Sequence, residues 1–145
     1  MLTVTVASLL LGCSPSHESG EGRDVTPVAG RWYSVEQVQT GSRVFQEQCA
    51  QCHGAQAQGI IADWRARLED GSFPPPPING SAHAWHHPLS VLLQVINHGG
   101  VPLGGQMPAF ANRISDTEKL AAIAYFQSFW NDDIYGNWEQ MGGTE

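Results

Sequence analysis

Cys49, Cys52 and His53 form the most informative group of reactive side chains in this sequence, in the order Cys-x-x-Cys-His. This spacing is the attachment pattern of a c-type haem. The two sulfurs can add to the two vinyl groups at one edge of a porphyrin, and the adjoining imidazole supplies a neutral nitrogen to the iron. The motif therefore predicts one covalently bound haem c per chain, with His53 as an iron ligand.

Other uses of paired cysteines fit the sequence less well. A thioredoxin-like redox site would lie in a βαβ pattern, and none surrounds the motif. A four-cysteine zinc site would need a second Cys-x-x-Cys, and no cysteine follows Cys52. A bare metal such as copper, held without haem, stays open as an alternative. Its ligands would be Cys49, Cys52 and the cluster of His83, His86 and His87.

Met107 stands in the segment 104–110, whose composition suits a loop that lies flat against a ring. The preceding glycine pair permits a close approach of the backbone, and Pro108 holds Met107 in an extended conformation. A thioether suits the remaining axial position of a haem iron and favours the reduced state. We therefore expect Met107 to be the second iron ligand. His98 is the main rival, and filling of the core is the other reason for a methionine here.

Four prolines at positions 74–77 predict an extended run, because each proline ring fixes φ and disfavours helix before it. Such a run presents free carbonyls, and a metal-bound histidine usually donates its second ring N–H to an acceptor of this kind. Pro75, Pro76 and Pro77 are the candidates, and Pro77 is the one that we assign to His53. A proline-rich recognition motif is the alternative interpretation.

Three helices are predicted to position these side chains. The first and last begin with capping boxes, and the middle one has a proline in its first turn and a glycine pair after its end. The predicted helices run from Val35 to Cys49, from Pro88 to His98 and from Asp116 to about Trp130, with a short fourth one between Asp63 and Leu68.

Gly41 lies inside the first predicted helix, on the same face as Val38, Phe45 and Cys49. A glycine inside a helix costs about 1 kcal/mol relative to alanine, so a packing reason is expected. The natural reason is a close crossing by another helix.

Two groups of residues resemble class I cytochromes c. Gly41, Phe45 and the segment 49–53 resemble the first helix and haem motif of that family, and the segment 107–110, Met-Pro-Ala-Phe, resembles its distal loop. The resemblance covers residues 34–130. It implies an all-α cytochrome c fold, with three to four helices and long loops wrapped around one haem. It also implies His/Met ligation and a proline carbonyl behind the histidine.

The N-terminus predicts export. Residues 1–12 carry no charge and are mostly apolar, but they are shorter than the about 20 residues that cross a bilayer. The segment 10–13, Leu-Leu-Gly-Cys, resembles a bacterial lipobox, with cleavage before Cys13 and a lipid on its sulfur. An ordinary cleaved signal, giving a soluble periplasmic protein, is the alternative. We expect a flexible tether over 13–33 and a domain over 34–145, with a surface tail from about residue 131.

The charge balance excludes a nucleic-acid surface. The chain has 7 Lys and Arg against 14 Asp and Glu, and phosphate binding needs clustered cations. With both axial positions filled, no site for a small-molecule substrate is expected. The predicted function is a single-haem electron carrier, not itself an enzyme, that serves redox proteins on the periplasmic side of a membrane to which lipid anchors it. The alternative is a haem-based small-ligand sensor or peroxidatic protein with a labile Met107.

Overall fold

The computed structural model describes residues 25–145, which form five α-helices joined by long loops. The helices are α1 Val35–Gln48, α2 Ala50–His53, α3 Leu89–His98, α4 Asp116–Gln127 and α5 Asp132–Gln140, with short 3₁₀ helices at His83–His86 and Val101–Leu103. Within residues 25–145 the β pairing is limited to an isolated bridge between Pro27 and Ser34. The all-α fold class that the sequence predicts is confirmed.

Helices α1 and α4 cross at Gly41. A Cβ atom at this position would overlap with the carbonyl of Ala121 on α4 and lie 3.0 Å from the Cβ of Tyr125. About one helical turn further along α1, the ring centroids of Phe45 and Tyr125 are 5.2 Å apart. The absence of a side chain therefore lets the two backbones touch, which is the packing reason expected for this glycine.

Both predicted capping boxes are present. The Ser34 hydroxyl accepts a hydrogen bond from the backbone N–H of Gln37, and the Gln37 side chain accepts one from the backbone N–H of Ser34. Helix α1 begins at Val35, directly after Ser34. Ser115 and Glu118 form the same reciprocal pair at the start of α4. These bonds satisfy backbone donors that have no partner within the helix, which is why the starts of the two helices were predictable.

The C-terminal tail differs from the expectation. Helix α4 ends at Gln127, and Asn131 then caps a further helix, α5, by accepting from the backbone N–H of Ile134. Tyr135 and Trp138 on α5 are both 1% exposed and belong to the core. The prediction of a surface tail from residue 131 is therefore wrong, because this segment buries its aromatic side chains.

The expected tether also ends earlier than predicted. Val28 and Trp32 pack against the core, and Tyr33 is part of it. Trp32 donates from its backbone N–H to the hydroxyl of Tyr135, 2.9 Å away, and from Nε1 to the side-chain oxygen of Gln127, 2.6 Å away. The described residues 25–33 thus belong to the folded domain, which begins before residue 34.

Residues 60–72 form turns rather than the short helix expected between Asp63 and Leu68. The carboxylate of Asp63 accepts from the backbone N–H of Arg65, and that of Asp70 accepts from the backbone N–H of Ser72. Side chains that bond to the backbone two residues on favour turns over helix.

No helix within residues 25–145 is long and apolar enough to cross a membrane. The predicted signal sequence, Cys13 and the start of the tether lie outside the described residues.

Candidate haem-binding site

A cavity of ≈ 610 Å³ opens beside the end of α1. This volume is within the range of about 300–1,000 Å³ that ligand sites occupy. Most of its lining is apolar, and α1, α3, α4 and the distal loop all contribute. The apolar side chains are Phe45, Leu92, Val95, Ile96, Phe110 and Phe126, among others.

Cys49 and Cys52 line this cavity as free thiols. Cys49 ends α1 and directly precedes α2, and its backbone N–H donates to the carbonyl of Phe45, 2.8 Å away. Helix α1, fixed by its crossing with α4, therefore sets where the first thiol lies. Burial, and to a smaller extent the neighbouring Cys52, raises the pKa of the Cys49 thiol to about 11, so Cys49 is a neutral thiol at pH 7.

His53 is 9% exposed and also lines the cavity. Its Nδ1 lies 3.0 Å from the carbonyl oxygen of Pro76. A carbonyl can only accept, so Nδ1 carries the proton and the lone pair is on Nε2, which is the tautomer that a metal ligand needs. Burial lowers the pKa of His53, and the bond to Pro76 opposes this only in part. The ring is held neutral and oriented.

The acceptor of that bond corrects the assignment of Pro77. Successive carbonyls of an extended proline run point in different directions, so only one of them can face the imidazole. The run is fixed at its end by the backbone N–H of Ile78, which donates to the carbonyl of Ala57, 2.8 Å away. This long-range bond sets the register, and it places the Pro76 carbonyl toward His53 while the ring of Pro77 packs against Gly59.

Met107 is half-buried and lines the same cavity as His53. Its loop is tied to the end of α3 by backbone bonds: Gly100 donates to the carbonyl of Met107 at 2.9 Å, and Phe110 donates to that of Ile96 at 2.9 Å. A Cβ at Gly99, whose φ is +80°, would lie 2.6 Å from the Met107 carbonyl oxygen. The glycine pair at 99–100 therefore lets α3 approach the methionine backbone.

From the sequence, this close approach of the backbone is expected at Gly104 and Gly105, the glycine pair before Met107. Gly99 and Gly100 were interpreted only as the end of α3, although their position between a helix and the distal loop could have indicated both roles. Gly105 contributes through its backbone N–H, which donates to the carbonyl of Gly100 at 3.0 Å.

The rival ligand His98 lies outside the cavity. His98 is exposed, does not line the cavity, and its Nδ1 bonds to the carbonyl of Gln94 at 3.0 Å on its own helix. Met141 is 53% exposed. Trp85 packs against His86 and the core and does not line the cavity.

The donor set fits a c-type haem. Two free thiols, a neutral imidazole with one nitrogen already bonded, and a thioether share one apolar cavity. The grouping needed for a bare metal is not formed, since residues 25–145 contain no set of three or more His, Cys, Asp or Glu side chains able to hold an ion.

Comparisons with known proteins show the family to which this chain belongs. The family described as cytochrome c oxidase, cbb3-type, subunit III matches residues 36–126. The cbb3-type cytochrome c oxidase subunit CcoP of Azospirillum brasilense is 35% identical over 90 residues, which are 61% of this chain and 27% of that protein. The chain thus spans about a quarter of the length of this relative, and no solved structure matches it. The chain belongs to the cbb3-type cytochrome c oxidase subunit III family, as a class I c-type cytochrome domain that binds one haem c covalently.

Proposed function

We propose that this protein is a single-haem electron carrier whose iron is bound by His53 and Met107, and that it catalyses no bond chemistry itself. The observation that carries this proposal is that both side chains line one apolar cavity, with the Nδ1–H of His53 already donated to Pro76. A filled pair of axial positions would leave no place for a substrate. Haem supplies a one-electron couple between ferric and ferrous iron.

The residues around the cavity suit that task. The Pro76 carbonyl orients His53 and raises its basicity as a ligand. The distal loop, bonded to the end of α3, holds Met107 where a thioether can favour the reduced state. The apolar wall keeps water away from the site, which also favours the less charged form of an iron centre.

Redox proteins are the proposed partners. CcoP of Azospirillum brasilense is, by its name, a subunit of a cbb3-type cytochrome c oxidase, which supports exchange of electrons with another redox protein. The signal-like N-terminus supports a place for this exchange on the periplasmic side. The chain has a single lysine, Lys119, and it is 2% exposed, bonded to Asp116 at 2.9 Å. Lysines therefore do not form the docking surface, and an acidic face directed at a basic partner is consistent with the net charge of −7.

The ligand is tested by replacing Met107→Ala, with Met141→Ala as the matched control. We expect the visible spectrum of the oxidised Met107→Ala protein to lose the weak sulfur-to-iron band near the red end. Its ferrous form should bind CO rapidly and stoichiometrically. Wild type and Met141→Ala, whose methionine is exposed, should keep the band and resist CO. Rapid CO binding by wild type would contradict the proposal and favour a sensor or peroxidatic protein.

The membrane attachment is a further part of the proposal. The lipobox-like segment ending at Cys13 supports lipidation of this residue, for which acyl chains contribute about 0.8 kcal/mol per methylene. The variant Cys13→Ser should move the protein from the membrane to the soluble fraction of the cell while its haem spectrum is unchanged. An unchanged membrane fraction would show that another part of the protein or a partner holds it there.

A further inference from the structure

The loop formed by residues 67–73 is bonded to the distal loop through the side chain of Gln106. Nε2 of Gln106 donates to Oδ2 of Asp70 at 2.6 Å and to the hydroxyl oxygen of Ser72 at 2.9 Å. These bonds join residues that are 36 and 34 positions apart in the chain. They therefore fix one loop against another, next to the residue that is the proposed distal ligand.

The Asp70 carboxylate is held in place by its own turn. Its other oxygen, Oδ1, accepts from the backbone N–H of Ser72 at 2.9 Å and from the Ser72 hydroxyl at 2.6 Å. These two bonds, and to a smaller extent the one from Gln106, lower the pKa of Asp70, so the carboxylate is ionised at pH 7. One oxygen thus serves the turn and the other serves Gln106, through a hydrogen bond of the stronger, charge-assisted kind.

The loop that carries this carboxylate is itself ordered. Nη1 of Arg67 donates to the carbonyl of Gly71 at 2.6 Å, and the guanidinium lies 4.0 Å from the ring centroid of Phe73. The backbone N–H of Phe73 donates to the carbonyl of Gly104 at 2.8 Å. Gln106 is therefore bonded to a fixed support rather than to a free side chain.

The backbone before Met107 needs such a support. Gln106 directly precedes Met107, and two glycines precede Gln106. Glycine adopts many backbone conformations, so this pair does not by itself hold Met107 at one position. On the other side of the site, the carbonyl of Met107 is already bonded to the backbone N–H of Gly100. The bonds made by Gln106 thus restrict Met107 on the side where the backbone is most permissive.

We propose that Asp70 and Ser72 are positioning residues for Met107. By binding Gln106 they keep the thioether at the iron and lower the fraction of the protein in which this axial position is open to an external ligand. The proposal rests on the proposed function, because it requires Met107 to bind the iron. Asp70 does not line the cavity, whereas Gln106 does, so the carboxylate acts through the side chain that it binds.

The test is a titration of the ferric, haem-loaded protein with imidazole, followed by loss of the sulfur-to-iron band. Imidazole binds the iron only where Met107 has left it, so its apparent affinity is proportional to the open fraction. Asp70→Asn keeps an oxygen for the turn with Ser72 but directs an NH₂ group at Gln106. This variant should keep the band without imidazole and bind imidazole about tenfold more tightly than wild type, because loss of a hydrogen bond to a charged group changes an equilibrium constant by about that factor.

Asp63→Asn is the matched control. The Asp63 carboxylate accepts from the backbone N–H of Arg65 at 3.2 Å, and within residues 25–145 it has no hydrogen bond to the distal loop. The substitution removes the same charge and alters a turn of the same kind, so it should leave the imidazole affinity as in wild type.

Exchange of the two functional groups gives a stricter test. Gln106→Glu places a second carboxylate against Asp70 and should also bind imidazole more tightly than wild type. In the double variant Asp70→Asn, Gln106→Glu, the amide donates to the carboxylate in the reverse direction, and the net charge is that of wild type. The imidazole affinity of the double variant should return toward the wild-type value, which a general loss of stability would not produce.

Equal imidazole affinities in Asp70→Asn and Asp63→Asn would overturn the inference. A double variant that binds imidazole at least as tightly as the single variants would do the same. The proposed function would survive either result, provided that wild type shows the sulfur-to-iron band. Absence of the band in wild type would overturn both the proposed function and this inference.

Discussion

Gly99 controls the distal side of the site through its backbone alone. Its φ of +80° is in the region that favours glycine, and a Cβ there would meet the Met107 carbonyl at 2.6 Å. Gly71 has nearly the same φ, +83°, with nothing within 4 Å of a Cβ. Substitutions at the two positions can therefore distinguish two free-energy costs, that of an unfavourable backbone conformation and that of displacing the loop that contains Met107.

Gly99→Ala should therefore disturb Met107, the proposed ligand, whereas Gly71→Ala should only lower stability. Both substitutions place alanine at a positive φ, which costs about 1–3 kcal/mol. The overlap in Gly99→Ala should add to that cost and weaken or remove the sulfur-to-iron band, since the Met107 carbonyl must shift. Denaturant unfolding and visible spectra of both variants give the measurement. An intact band in Gly99→Ala would show that the loop can adjust without moving Met107.

At the scale of single residues, local spacing was sufficient for some assignments and not for others. Cys49, Cys52 and His53 lie within a span of five residues, and one helical turn places all three at the cavity. The choice among Pro75, Pro76 and Pro77 depends instead on a bond between Ile78 and Ala57, twenty-one positions apart. Identical residues in a row carry no information on register, so the sequence could not select Pro76.

At the scale of elements, the crossing of α1 and α4 joins the haem motif to the rest of the core. Gly41 marks the crossing, and Gly136 in α5 is a useful comparison because a Cβ there would have nothing within 4 Å. Both glycines lie inside helices, where glycine is less favourable than alanine by about 1 kcal/mol.

The same substitution should consequently have opposite effects at the two positions. Gly41→Ala should destabilise the protein by about 1–3 kcal/mol or more, because the added methyl meets the backbone of Ala121 rather than a movable side chain. Gly136→Ala should stabilise it by about 0.5–1 kcal/mol. Denaturant titration of the haem-loaded proteins measures both changes. Equal shifts in midpoint would contradict the contact at Gly41.

Helix α5 shows why element predictions failed at the C-terminus. Asn131 has the form of an N-cap, Asp132 and Asp133 stand in the first turn, and Tyr135 and Trp138 are spaced for one face. These signals were present, but acidic residues and a terminal position favoured the interpretation as a tail. Among these signals, only Tyr135 and Trp138 indicated that the helix is buried, because exposing two large aromatic side chains to water is unfavourable.

At the scale of the whole molecule, the C-terminus holds the loop that leads into α3. Trp130 donates from Nε1 to the carbonyl of Ile78 at 2.9 Å, and Trp138 donates to that of His87 at 2.8 Å. The backbone of Leu89, at the start of α3, donates to the carbonyl of Gly143 at 2.7 Å. The last sixteen residues, from Trp130 onward, are therefore part of the support of the cavity.

Trp138→Ala should destabilise the protein by about 3–5 kcal/mol, the usual cost of removing a buried aromatic ring. Trp138 is 1% exposed, and its loss would also leave the His87 carbonyl without its donor. Met141→Ala, three residues on and 53% exposed, should change stability little. Thermal unfolding followed by circular dichroism compares the two variants. Similar melting temperatures for both would contradict the role of α5 in the core.

The proline run has a consequence for how fast electrons can be exchanged. Its first end is fixed where Phe73 donates to the carbonyl of Gly104 at 2.8 Å, beside the methionine loop, and its other end is bonded to Ala57, just beyond the histidine. Proline rings remove the soft torsions between these two points. If His53 and Met107 bind the iron as proposed, a stiff spacer of this kind would resist a change in the distance between them when the iron gains or loses an electron. Because the structure then changes little on each electron transfer, the activation barrier is low. Electron transfer can therefore be rapid even between haems that are far apart.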